Sequence, residues 1–217
     1  MGVEGAPPSA GEIQEVRQKL ARSLSEVEAG GGDMEGLNTD DKYLTKFWRH
    51  VFDHPGTQTE ATVKMILNTL KWRKEMGASS IREEDFPPGL LDRGALFSHN
   101  RDKDGRKLLV FSVFKHVKGS EKMEDMKKFF VYMLERLDRE EQGEQITLLF
   151  DCRTAGLRNM DMEFVQFIIG TLKEFYPDPL NYILVLEMPW VLNGEDGWEG
   201  IYSIKPENIF FFQPPLK

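Results

Sequence analysis

Ile146-Thr147-Leu148-Leu149-Phe150-Asp151, then Asp161 to Leu172, then Tyr182-Ile183-Leu184-Val185-Leu186, is the stretch that decides the fold. The two short apolar runs are bounded by turn-prone residues, Cys152 to Gly156 after the first and Met188-Pro189 after the second. Runs of that length and composition read as strands buried on both faces, the habit of a parallel sheet. Between them Phe164, Ile168, Leu172 and Phe175 recur at helical spacing, and Asp161 stands where an N-cap belongs. Strand, helix and strand in this order make a crossover unit. The expected class is α/β.

Upstream, Ala95-Leu96-Phe97 and Lys107 to Phe114 are strand candidates, and Asp104-Gly105 between them signals a hairpin. Ser120 to Glu141 reads as a long helix whose inner stripe is Met123, Met126, Phe130, Met133, Leu134 and Leu137. Three methionines suit either an ordinary core or an adaptable lipid-facing surface, and packing is the better supported of the two. Pro87-Pro88 joins this part to an earlier helical one. There, Tyr43, Leu44, Phe47 and Trp48 share a face, Asp53 to Gly56 is a turn, and a second helix carries Val63, Ile66, Leu67 and Leu70 to a stop at Gly77. Trp48 and Trp72 are expected to pack rather than to touch a ligand. Further upstream, Ile13, Val16, Leu20, Leu24 and Val27 mark an amphipathic helix, read as a surface helix or a partly disordered arm.

Composition narrows the function. At 217 residues with 40% hydrophobic content, the chain can build a substantial core. A single cysteine, Cys152, permits no internal disulfide and suits a reducing compartment. No apolar run approaches the ~18 residues that a membrane span needs. A net charge of -8 argues against broad electrostatic binding of nucleic acid, although it leaves room for a local basic patch. His50, His54, His99 and His116 lack metal-ligand spacing. Asp102 and Asp104 resemble the start of a calcium loop, but the later oxygen ligands are missing. Cys152 follows a strand-end Asp with no nucleophile elbow or second cysteine, so an incidental thiol is favoured over a catalytic one. No glycine-rich phosphate loop follows any strand, and no cofactor is expected.

The order of motifs carries more than any one of them. Asp40-Asp41-x-Tyr43-Leu44-x-x-Phe47-x-Arg49, then Phe52-Asp53, a helix ending Trp72-Arg73-Lys74-Glu75, and Asp102-x-x-Gly105-Arg106 come first. Asp151, Gly156, Tyr176-Pro177, Met188-Pro189-Trp190 and Asn193 follow. Over residues 40–193 this series resembles the CRAL-TRIO (Sec14-like) lipid-binding family. The resemblance implies a helical N-terminal part before a mixed, largely parallel sheet flanked by helices. It divides the chain into an arm (1–39), a helical part (40–86), the lipid-binding domain (87–193) and a divergent tail (194–217). It also implies non-enzymatic binding and transfer of a phospholipid or other hydrophobic molecule, with transient membrane contact and a cytoplasmic location that is peripheral at the endoplasmic reticulum. Alternation puts Ile146, Leu148 and Phe150 on one face, and likeness to the family turns that face into the pocket floor. Asp178, just after Tyr-Pro, matches an acidic position that contacts the headgroup in phosphatidylinositol-binding members, one carbon shorter than their usual Glu. As an ordinary turn residue before Pro179 it is equally well explained. After Asn193 the expected gate helix gives way to Gly194-Glu195-Asp196-Gly197-Trp198-Glu199-Gly200, which cannot sustain an apolar helix. The resemblance is expected to end there, the pocket to be impaired, and Phe210 to Phe212 to fold over the floor. The alternative is a protein-interaction module that keeps the fold without the pocket.

Overall fold

The computed structural model describes residues 7–24, 40–51, 58–188 and 208–212. The chain divides into two compact units, one made of Met1–Ser80 with Thr171–Asp178, the other of Ile81–Gly170 with Pro179–Lys217. No helix among the described residues is long and apolar enough to cross a membrane.

The helical unit is built from α1 (Ala10–Leu24), α2 (Asp41–His50) and α3 (Gln58–Met76). Each start follows local chemistry. Ser9 and Glu12 exchange backbone and side-chain hydrogen bonds at the head of α1, and Asp40 accepts from the Lys42 amide at 2.8 Å at the head of α2. Gly77, at φ +70°, ends α3 in the left-handed conformation, as its position predicts. Ile13, Val16 and Leu20 are buried in one cluster with Leu44, Phe47, Trp48, Val63, Ile66 and Leu70. This corrects the reading of the N-terminal segment as a peripheral arm, since residues 10–24 form part of the core. A stripe of apolar residues at helical spacing loses its advantage in water and gains it only against other helices. Val27, the Gly30-Gly31-Gly32 run and the Asp53 to Gly56 turn lie outside the described residues.

Among the described residues, the sheet unit carries a five-stranded sheet in the order β1 (Leu96–Arg101), β2 (Lys107–Ser112), β3 (Ile146–Asp151), β4 (Leu180–Leu186) and β5 (Ile209–Phe212). The β1–β2 pair is antiparallel across the predicted hairpin, and the remaining pairs are parallel. Two long helices belong to this part of the chain, α4 (Met123–Glu140) and α5 (Met162–Glu174). The α/β class and the mixed, largely parallel sheet are as expected. Of the predicted stripe on α4, Met126, Phe130, Met133, Leu134 and Leu137 are buried, whereas Met123 is half-buried. Phe130 meets Phe164 and Phe167 of α5 edge-on at 6.4 and 6.3 Å, which packs this stripe against α5.

The tail departs from expectation. Ile209–Phe212 does not fold over the sheet but extends it, with Ile183 opposite Ile209 and Leu186 opposite Phe212. The Glu187 amide donates to the Phe212 carbonyl at 2.7 Å. An edge strand presents unpaired amides and carbonyls, and a β-branched residue followed by three aromatics is well suited to satisfy them.

Candidate functional site

The faces of the sheet differ. Ile146, Leu148 and Phe150 do share one face, and all three are buried. Phe150 meets Phe111 at 6.1 Å, and Phe111 in turn meets Phe164 of α5 edge-on at 5.5 Å. Leu109 and Phe111 of β2, Ile183 and Val185 of β4 stand in register with them and are also buried. This is the helix-covered face, so the structure places the three predicted floor residues in the core and not on an open surface. The alternation was legible, but the choice of face was not.

Among the described residues the opposite face is apolar as well, buried at Val110 and open towards β4 and β5. It carries Leu108 and Val110 of β2, Leu149 of β3, Leu184 and Leu186 of β4, and Phe210 and Phe212 of β5. Leu108, Leu149, Leu184 and Leu186 are half-buried, while Phe210 and Phe212 remain 40% and 50% exposed. Burial therefore alternates along β4 and β5 even though hydrophobicity does not. The sequence reading of strands buried on both faces fits β3, where only Leu149 is half-buried, better than β4.

Polar groups mark the two ends of this face. At the strand starts the β1–β2 turn reaches across: Thr147 donates to Asp102 Oδ2 at 2.5 Å, and Asn181 Nδ2 donates to Asp102 at 3.0 Å and to Asp104 at 3.2 Å. The amides of Asp104 and Arg106 donate to Asp102 Oδ1 at 2.9 and 2.8 Å. Burial would raise the Asp102 pKa, but these donors together outweigh it and hold the carboxyl below its ordinary value. With its oxygens occupied in this way, Asp102 closes a turn, and the described residues contain no cluster suited to a metal. Tyr182 lies over this end, meeting Phe210 edge-on at 5.4 Å, with Lys103 Nζ 5.2 Å above its ring. At the strand ends Arg153 binds Asp151 through two nitrogens at 2.9 and 2.8 Å, and its guanidinium lowers the Asp151 pKa against the opposing effect of burial.

Each remaining candidate has partners of its own. Burial, reinforced by the Asp151 charge, pushes the Cys152 thiol up to about 12, so it is protonated at neutral pH and is no nucleophile. Buried His116 faces Asp161 at 3.1 Å in the core beside Phe111 and Phe164. Asp178 belongs to the helical unit, whereas the predicted floor residues belong to the sheet unit. It stands at φ +47°, and its amide donates to His50 Nδ1 at 3.0 Å. The other ring nitrogen, Nε2, donates to the Lys173 carbonyl at 2.7 Å. Asp tolerates the left-handed conformation better than Glu, which accounts for the shorter acid here. Trp72 stacks on Phe175 at 4.4 Å and meets Tyr176 edge-on at 6.1 Å, the packing role expected of it. Pro189, Trp190, Asn193, His54 and the acidic glycine-rich run 194–200 lie outside the described residues.

Residues 91–202, just over half of the chain, fit the model of the CRAL/TRIO domain. The chain belongs to the CRAL/TRIO domain family. The match runs to residue 202 and so passes Asn193, where the motif series was expected to stop. A CRAL-TRIO domain-containing protein of Schizosaccharomyces pombe is 27% identical over 146 residues, covering 62% of this chain and 33% of the relative. Patellin-6 of Arabidopsis thaliana is 23% identical over 201 residues, covering 85% of this chain and 48% of the relative. The chain thus spans half or less of the length of these curated relatives. The crystal structure of Sfh5 has a TM-score of 0.58 at 17% identity, covering 95% of this chain and 82% of that one, a likeness of fold alone. Family membership implies a lipid or another small hydrophobic ligand, handled in general by binding and transfer and not by catalysis.

Proposed function

We propose that this CRAL/TRIO chain binds a phospholipid, or a hydrophobic molecule of similar size, with its apolar part against the open sheet face formed by Leu149, Leu184, Leu186, Phe210 and Phe212. The observation that carries the reading is the exposure of Phe210 and Phe212 on an apolar face whose reverse, along β3 and β4, is packed in the core. Enclosing acyl methylenes is worth about 0.8 kcal/mol each, so a sixteen-carbon chain brings roughly 12 kcal/mol if wholly covered and a fraction of that if one side stays wet. No step in this reading makes or breaks a bond. Asp178 contributes to headgroup recognition in this proposal, on the strength of its place after Tyr176-Pro177.

Native mass spectrometry of the 217-residue chain, with extraction and identification of any retained lipid, tests it. A discrete added mass of phospholipid size is expected, reduced about tenfold by Leu149→Asn or Phe210→Asp. Asp178→Asn keeps a side chain tolerant of positive φ and removes only the charge, so it should shift headgroup preference while leaving total occupancy unchanged. A folded wild type without lipid, or variants that retain it fully, would overturn the reading and favour a protein-interaction module.

A further inference from the structure

Two loops leave the carboxyl ends of the adjacent parallel strands β2 and β3, and their segments 113–118 and 156–159 have no part in the proposed cargo site. The first passes through the one-turn helix Val113–Lys115 to Lys118, the second through the one-turn helix Leu157–Asn159. They are bound side by side. Buried Asn159 donates from Nδ2 to the carbonyls of Phe114 and His116 at 3.1 and 2.6 Å, and its Oδ1 accepts from the Gly156 amide at 2.9 Å. The Lys118 amide donates to the Arg158 carbonyl at 3.0 Å. On this fixed frame stand Phe114, Val117 and Leu157, 41%, 37% and 73% exposed, and they are three of the five large hydrophobic side chains exposed among the described residues. An apolar side chain left in water forgoes the free energy that burial would return, and where such exposure is concentrated it marks a contact surface.

The charge around these residues names the partner. Lys115, Lys118, Lys122 and Arg158 are exposed in or beside the two loops, and Arg153, also exposed, is paired with Asp151. Three of the nearby acids are engaged, Glu121 with Arg93, Asp151 with Arg153, and Asp161 with His116 in the interior, while Glu124 and Asp125 follow Lys122 and Glu187 lies near Arg153. A chain with net charge -8 therefore turns a basic, apolar-studded surface outward at one place. Interleaved cations and large apolar side chains suit the boundary of an anionic bilayer, where the apolar groups enter the acyl margin and the cations meet lipid phosphates. We propose that the paired loops 113–118 and 156–159 are a docking surface for anionic membranes. The acidic remainder of the molecule is repelled by the same membrane, which orients these loops towards it.

Flotation of the full 217-residue chain with vesicles of phosphatidylcholine, alone or with about one-third phosphatidylserine, tests the proposal. Binding is expected only with phosphatidylserine present and is expected to fall steeply with salt. Lys118→Glu with Arg158→Glu should weaken it by about tenfold or more, since each cation near the surface is worth roughly fivefold. Phe114→Ser with Leu157→Ser should weaken it similarly but leave the salt dependence intact. Circular dichroism and retained lipid, measured on the same samples, establish that the variants fold and keep the cargo reading separate. Vesicle binding that depends on these residues upholds the surface even if no lipid is retained. Absence of wild-type binding, or binding unchanged in both double variants, overturns it, including the case in which the patch serves a protein.

Discussion

Asp102 shows how one side chain sets local structure. Its carboxylate takes hydrogen bonds from two backbone amides of its own turn and from Thr147 and Asn181 on strands distant in sequence. Asp102→Asn loses the charge and puts a donor where donors already point, so a cost of about 1–3 kcal/mol is expected at neutral pH. The sign of the pH dependence follows from the lowered pKa. A depressed folded value contributes stability above the unfolded value, near 3.9, and loses it as pH falls through the folded one. The gap between wild type and Asp102→Asn in urea unfolding should therefore be widest around neutral pH and close below about pH 4. The turn role was legible from Asp102-x-x-Gly105-Arg106, whereas its reach to Thr147 and Asn181 was not, because nothing in a sequence announces a contact across 45 or 79 residues.

For the elements, legibility depended on periodicity. Both long helices of the sheet-bearing part and the strands on either side of α5 followed from spacing alone, because their patterns are long or sharply bounded. α1 had an equally clear stripe, yet an amphipathic helix shows only that it needs a partner and not whether it has one. Its burial of Ile13, Val16 and Leu20 against α2 and α3 is a tertiary fact. Leu20→Ala should cost about 2–4 kcal/mol in urea unfolding through the cavity it leaves, a loss that a peripheral arm would not show. Breaking the Arg17–Asp41 pair beside it should cost under about 1 kcal/mol, because Asp41 is largely exposed. β5 is the reverse case, since its four residues are too short for a pattern to speak and were recognised as a strand only from their pairing to β4.

At the scale of the whole molecule, the proposal requires that the apolar face open among the described residues be less stable empty than filled. A ligand that binds only the folded state stabilises it by about 2.7 kcal/mol at a hundredfold excess over its dissociation constant. Stripping retained lipid with detergent and then removing the detergent should lower the thermal midpoint, and adding phospholipid back should restore it. If stripped and lipid-loaded samples melt at the same temperature, the open face is not the binding face.

The sequence by itself determined the class of fold, the order of helices and strands, the hairpin, the family, and the alternation that groups Ile146 with Leu148 and Phe150. Only the tertiary structure decided which set of alternate residues faces the helices and which faces outward. The physical reason is that a strand apolar on both sides reads the same whether its second side meets a helix or a ligand. Both demand side chains that water disfavours, and only the neighbouring elements show which demand the protein meets for itself. The burial of α1 and the pairing of the loops that carry Phe114 and Leu157 were decided in the same way, by partners that lie far along the chain.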